Sequence, residues 1–333
     1  MGRGARSAAL VTGFPGPVAR SVISGLAVDG GDVVVLARER DSRAAEAFCA
    51  ALGPSVSVMR GDPGRVDLGL GGPEAAGVQD RLTTLFHLEE TDPGALDRAG
   101  LRAAREIAAF AACGRSVRLV ALAPFGVSDD GPGVLERVLG GRGADLGASF
   151  LRAGVGCGPE GPWPVAGRGR LLHLIVLLHL SVDIRRLRSV ASRRLVLTWA
   201  PLIAEAALGA CAGSHSGELD LTDPRPPSLS QVDRALSGML DGTDGMDAEF
   251  LTACRRHRDG VIGRWIGRKD PVDVLASWTV AGSLGGGGER AARDLGLEWL
   301  PTLDVLGACL EAVVRDVKAD LGEEAEVRDA LLG

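Results

Sequence analysis

Short apolar runs that alternate with helix-length segments constrain this chain more than any other feature. Ala8–Thr12 (AALVT), Asp32–Ala37 (DVVVLA), Val56–Met59, Leu82–Leu88 (LTTLFHL) and Val117–Leu122 (VRLVAL) read as strands. Val18–Ala27, Ser42–Leu52 and Leu101–Ala112 between them have helical spacing. Ala148–Val155 and Leu195–Thr198 are candidates for two more strands. Alternation at this spacing predicts βαβ units and a parallel sheet. Near-continuous Val/Leu runs fit strands buried on both faces. The expected fold class is therefore α/β, a Rossmann-type doubly wound parallel sheet with a smaller, mostly helical C-terminal subdomain.

The alternation weakens past about residue 155. Gly158–Gly169, Pro224–Pro227 (PRPP) and Gly285–Gly288 (GGGG) read as breaks, and Leu303–Leu332 as helical. The expected division is a dinucleotide-binding core over 1–155, completed by about 190–222. A substrate-side subdomain then takes 156–189 and 223–333.

At 333 residues with 46% hydrophobic content, the chain can bury a sizeable core. Its net charge of -6 argues against a nucleic-acid partner. Six scattered cysteines have neither metal-ligand nor CxxC spacing, so they read as reduced core residues. No metal site is expected. The N-terminal apolar run is too short for a secretory signal. The longest apolar stretch, Leu171–Val182, is broken by His173 and His179 and too short to span a bilayer; it reads as a buried helix. A cytoplasmic location without a membrane partner follows as the expectation.

Thr12-Gly13-Phe14-Pro15-Gly16-Pro17-Val18-Ala19-Arg20 closes the first strand and opens a helix. Glycines at such a bend permit a tight turn and a close approach of backbone to a pyrophosphate at the helix N-terminus. Ala19 stands at the third glycine position. Arg38 follows the second strand, where arginine suits a ribose 2′-phosphate and an acidic residue would suit a 2′-hydroxyl. Any dinucleotide is thereby tilted toward NADP.

These segments resemble the extended short-chain dehydrogenases/reductases of the NAD-dependent epimerase/dehydratase group, and in particular members similar to fatty acyl-CoA reductases and thioester reductase domains. Thr12–Arg20 is similar to their T-G-F-P-G-x-x-G-R. Gly61-Asp62 with Leu68-Gly69-Leu70 is similar to G-D … L-G-L, and Phe86-His87-Leu88 to F-H-L. Leu151–Gly154 resembles L-R-P-G, and Leu221–Pro224 resembles L-T-D-P. The likeness covers most of residues 7 to 235. It implies that Gly13, Gly16 and Arg20 lie by a pyrophosphate, with Phe14 in the same cofactor-binding turn. It also implies Arg38 by the adenosine ribose and Asp62 by the adenine.

The redox step of that family uses a tyrosine with a lysine four residues later, as in Y-E-R-S-K. Here Glu136-Arg137 anchors the comparison, and both catalytic positions are leucine, Leu135 and Leu139. The chain contains no tyrosine, and its lysines are Lys269 and Lys318 alone. The hydroxyl residue expected after the fifth strand is replaced by Ala123-Pro124. Acid/base assistance of this kind contributes about two to four orders of magnitude, so hydride transfer by the usual mechanism is not expected. In place of the two small residues that follow F-H-L in the family stand Glu89-Glu90, then Thr91-Asp92. Carboxylates there would repel a pyrophosphate unless screened or protonated.

Two readings of Glu89, Glu90 and Asp92 stay open. As acid/base groups at the carboxyl end of a central strand, they could run a proton transfer in an apolar pocket. Ala123, Pro124, Leu135, Leu139 and Trp163 would line that pocket. As helix-capping residues they would only face water. His87 on its strand, His173 and His179 read as core or interface groups. Arg255–Arg258 reads as a solvated face. The leading expectation is a non-redox isomerisation, cyclisation or dehydration of a small apolar metabolite. The rivals are a non-catalytic binding subunit and an NADP-dependent reductase with another proton donor. A second copy or a protein partner is compatible with each.

Overall fold

The structure, a computed structural model, describes residues 7–89, 98–113, 117–124, 147–157, 190–213, 216–240, 270–280 and 287–315, with single positions at 172, 175, 176 and 179. The chain divides into two compact units. The first comprises Met1–Gly156, Thr198–Thr222 and Gly286–Trp299; the second comprises Cys157–Leu197, Asp223–Gly285 and Leu300–Gly333.

In the first unit the strands are β1 (Ala8–Thr12), β2 (Asp32–Ala37), β3 (Val56–Arg60), β4 (Leu82–His87), β5 (Arg118–Pro124) and β6 (Ser149–Ala153). Val155–Cys157 (β7) and Leu197–Trp199 (β8) follow, then Gly217–Asp220 (β9). One seven-stranded sheet has the order β3-β2-β1-β4-β5-β6-β9, with every pair parallel. This is the doubly wound sheet that the alternation predicts. Two details differ from the sequence reading. The run Ala148–Val155 splits at Gly154 into β6 and β7, and Leu197–Trp199 pairs with β7 in a separate two-stranded sheet. The seventh place in the large sheet goes to Gly217–Asp220, the polar segment GELD.

Alternate residues of each strand face opposite layers. Val11, Val33, Val35, Phe86, Val120, Leu122 and Leu151 face a layer holding α1 (Pro17–Val28) and the helix Ala200–Ala212. Leu10, Val34, Leu36, Leu85, Leu119 and Ala121 face a layer holding α3 (Gly72–Gln79) and α4 (Arg98–Cys113). Helix α1 starts with Pro17 in its first turn, where the missing N–H costs nothing. It buries Val18, Ala19, Val22 and Ile23, a stripe at helical spacing. Helix α2 (Ser42–Leu52) buries Ser42, Ala45 and Cys49 and stops at Gly53, whose φ of 111° ends the helix.

The GGGG break behaves otherwise at its described end: Gly288 opens a helix, Gly288–Asp294, that packs within the first unit. Gly288 is required there, because a Cβ would overlap the ring of Trp299. Cys113, at the end of α4, is exposed rather than in the core. In the second unit Asp223 is buried and accepts backbone N–H bonds from Arg225 (2.7 Å) and Thr302 (2.8 Å). Positions 172, 175 and 176 are helical and buried, as expected of the Leu171–Val182 stretch. Among the described residues no helix is long and apolar enough to cross a membrane.

Candidate functional site

The chain runs from β1 outward through β2 to β3, then returns to place β4 on the other side of β1. The carboxyl ends of β1 and β4 thus mark the topological switch point, where open α/β sheets leave a crevice for ligands. Gly13 leaves β1 there, Arg38 leaves β2, Gly61-Asp62 leave β3, and Leu88-Glu89 leave β4. Ala123, which is buried, and Pro124 close β5.

The glycine turn is tight and packed. Gly13 has φ 100°, and a Cβ on it would overlap the Leu88 carbonyl and lie 2.9 Å from the Glu89 nitrogen. The Gly16 N–H donates to the Gly13 carbonyl at 2.8 Å. Phe14 is buried, its ring 5.6 Å from that of Phe48. The Arg20 guanidinium stands 5.0 Å above the same Phe48 ring, a cation–π contact. Pro15 and Pro17 bring no N–H to the turn. Val18 and Ala19, which carry the first-turn amides without intrahelical acceptors, have no exposed surface. Beneath the turn, Thr12 Oγ1 and His87 Nδ1 are 2.8 Å apart, and both residues are buried. Burial pushes the His87 imidazole below its ordinary range; the Glu89 carboxylate opposes that shift and Arg38 adds to it.

Arg38 and Glu89 form the central ion pair of the site. The Arg38 Nη2 donates to both carboxylate oxygens of Glu89, at 2.8 and 3.1 Å. The Arg38 Nε lies 3.9 Å from Asp62 Oδ1. Glu89 is therefore ion-paired, with its side chain only 15% exposed. Its oxygens are engaged by a guanidinium, which also supplies the screening that a carboxylate needs at this position.

Gly61 and Asp62 are pinned to the turn Val66–Gly69. The Asp62 N–H donates to the Leu68 carbonyl at 2.7 Å, and a Cβ on Gly61 would come within 2.6 Å of Leu36 Cδ1. The G-D and L-G-L pieces of the sequence resemblance are thus one local unit. They help to enclose a groove of about 430 Å³ lined by Arg38, Glu39, Arg40, Arg60, Gly61, Asp62, Arg65 and Gly69. Arg60 pairs with Glu39 at 3.3 Å and Glu46 at 3.1 Å, and Arg40 with Asp41 at 3.3 Å. Arg65 has no carboxylate partner among the described residues. A planar guanidinium presents forked donors that match a phosphate, so the donor set suits a phosphate monoester.

Gly13, Phe14, Gly16, Arg20, Arg38, Asp62 and Glu89 are thus brought to one end of the sheet. Glu90, Asp92, Leu135, Leu139 and Trp163 lie outside the described residues, as does His173. The sequence reading missed Arg40, Arg60, Arg65 and Glu39. The available signal was position, since Arg60 ends β3 as Arg38 follows β2. In the second unit His179 Nδ1 is 2.7 Å from Asp233 Oδ1, with the imidazole largely buried. Among the described residues no group of three or more His, Cys, Asp or Glu side chains is placed to hold a metal.

No protein-family profile matches the chain, and no curated protein does. Solved structures do. The terminal R domain from the myxalamid PKS-NRPS biosynthetic pathway is similar over 94% of this chain and 92% of its own, at 15% identity and a TM-score of 0.61. The reductase domain of a nonribosomal peptide synthetase from Mycobacterium tuberculosis is similar over 95% and 92%, at 13% identity and a TM-score of 0.60. Vestitone reductase from alfalfa (Medicago sativa L.) is similar over 95% and 99%, at 13% identity and a TM-score of 0.60. The chain shares its fold with these reductase structures.

Proposed function

We propose that this chain binds NADP(H) in its arginine-lined groove and catalyses a non-redox proton transfer (isomerisation, cyclisation or dehydration) on a small apolar metabolite. The observation that carries the first half is the convergence of Arg38, Arg40, Arg60 and Arg65 on one groove at the carboxyl ends of β2 and β3. Such a donor set favours a nucleotide bearing a phosphate on its ribose over one with free hydroxyls. Arg38 and Arg65 would hold that phosphate, with Asp62 beside the adenine. When bound, NADP(H) is a carrier of hydride.

The second half rests on the chain itself, which has no tyrosine and no lysine before Lys269. Without a phenol and its neighbouring ammonium, the usual partner for hydride transfer is missing. Glu89, whose backbone abuts Gly13 of the glycine turn, is the group favoured here for moving a proton.

A second reading, a reductase with a different proton donor, is favoured by the reductases that share the fold. Calorimetric titration with NADP+ and NAD+ tests the first half: NADP+ should bind at least about tenfold more tightly, a difference of about 1.4 kcal/mol. Equal affinities, or no binding of either, would sink it. For the second half, NADPH should stay unoxidised when the protein is supplied with acyl thioesters or aldehydes. Steady consumption would give the assignment to the reductase reading.

A further inference from the structure

We propose that Glu89 is an internal competitor for Arg38 and so determines which anions the groove admits. The inference rests on the groove being a nucleotide site. Arg38 leaves β2 and Glu89 leaves β4, with β1 between them. The pair therefore reaches across two strand spacings, about 9–10 Å, over the carboxyl end of β1. It does so beside the glycine turn, since Gly13 abuts the backbone of Leu88 and Glu89.

The two partners are unequally covered. The Glu89 side chain is 15% exposed and the Arg38 side chain 40%. The carboxylate is the buried member, and the guanidinium is the one that reaches the groove. Arg38 is partly engaged: its Nη2 donates to both oxygens of Glu89, and its Nε lies 3.9 Å from Asp62 Oδ1. Of the four arginines lining the groove, Arg65 alone has no carboxylate partner among the described residues.

A ligand that needs the Nη2 of Arg38 must take it from Glu89. A ribose hydroxyl is neutral and competes poorly for a nitrogen that already donates to both oxygens of a carboxylate. A phosphate monoester carries a charge of about −1.5 to −2 and can. The exchange leaves a largely buried carboxylate without its partner, close to the turn where a pyrophosphate would lie, and that opposes binding. Glu89 thus sets a threshold: it lowers affinity for every anion that uses Arg38, so only a highly charged one binds there with a net gain, and it narrows the margin over ligands that do not use Arg38.

The test is calorimetric binding of adenosine 2′,5′-bisphosphate and 5′-AMP to the wild-type chain, Glu89→Gln and Glu89→Ala, each checked for an unchanged melting transition. Removing the competitor should tighten the bisphosphate by about tenfold or more, and 5′-AMP by less than about threefold. In the Arg38→Gln background the Glu89 substitutions should bring no gain. If wild-type protein prefers the bisphosphate and neither Glu89 variant tightens it, the competition is refuted while the nucleotide groove stands. If none of the proteins binds either probe, both fall. If only the Glu89 variants bind, the competition holds and is strong enough to close the groove.

Discussion

His87 is buried beneath the glycine turn with Thr12 as its hydrogen-bonding neighbour, and burial lowers its affinity for a proton. In the unfolded chain the imidazole titrates near its ordinary 6.5. Between that value and the lower folded one, the unfolded state holds the extra proton. Stability from this group is therefore complete above about pH 6.5 and is lost as pH falls toward the folded value. Urea unfolding at pH 7 and pH 5 should show wild-type stability dropping more than that of His87→Gln, by up to about 1.4 kcal/mol per pH unit. Identical profiles would show that His87 does not carry the effect. The residue scale is also where the sequence is most and least informative. Arg38 was legible because it directly follows an apolar strand, and Asp62 through the resemblance of Gly61-Asp62 to a family motif. The bond from Arg38 to Glu89, which decides what both side chains can do, was not. It joins residues 51 apart and exists because β1 lies between β2 and β4, an order that no local pattern carries.

Helix α1 and the helix Ala200–Ala212 pack face to face through small residues, including Ala19, Ala204 and Ala207. Gly25 sits at this crossing, where a Cβ would come within 2.7 Å of Leu208 Cδ1. Gly25→Leu should lower the unfolding free energy by about 1–3 kcal/mol, the usual cost of overpacking. Equilibrium denaturation reads this directly, and a neutral result would mean that the helices can separate freely. Elements were legible in proportion to burial. The interior strands β1, β2, β4 and β5 read clearly because they are apolar on both faces. Gly217–Asp220 did not, because an edge strand needs few apolar residues: only Leu219 in it is buried, and Gly217 and Glu218 are exposed. Helix α3 was also missed. Its sequence, GPEAAGVQ, has glycine at two positions and only Ala75 and Val78 buried, so it shows no apolar period.

The first unit is assembled from three separated stretches of chain. Ile203, Ala204 and Ala207 from the second stretch, and Ala291 from the third, share a core with Val18, Val22 and Ile23 from the first. From sequence, residues 286–299 were assigned to the C-terminal subdomain; instead they return to the first unit. A fragment ending at Gly156 keeps six strands of the large sheet but loses β9 and the covering helix, so it should melt without a cooperative transition. A sharp calorimetric peak from that fragment would overturn this account. The same interleaving sets a schedule for biosynthesis. At about 5–20 residues per second, a ribosome needs roughly 7–29 s to pass from Gly156 to Trp299. Until β9 emerges in the first part of that interval, a six-stranded sheet has the free edge of β6 unpaired, and the set of helices covering it is completed only later. Yield in a foreign host should then depend less on the finished protein's stability than on how well nascent chains are sheltered.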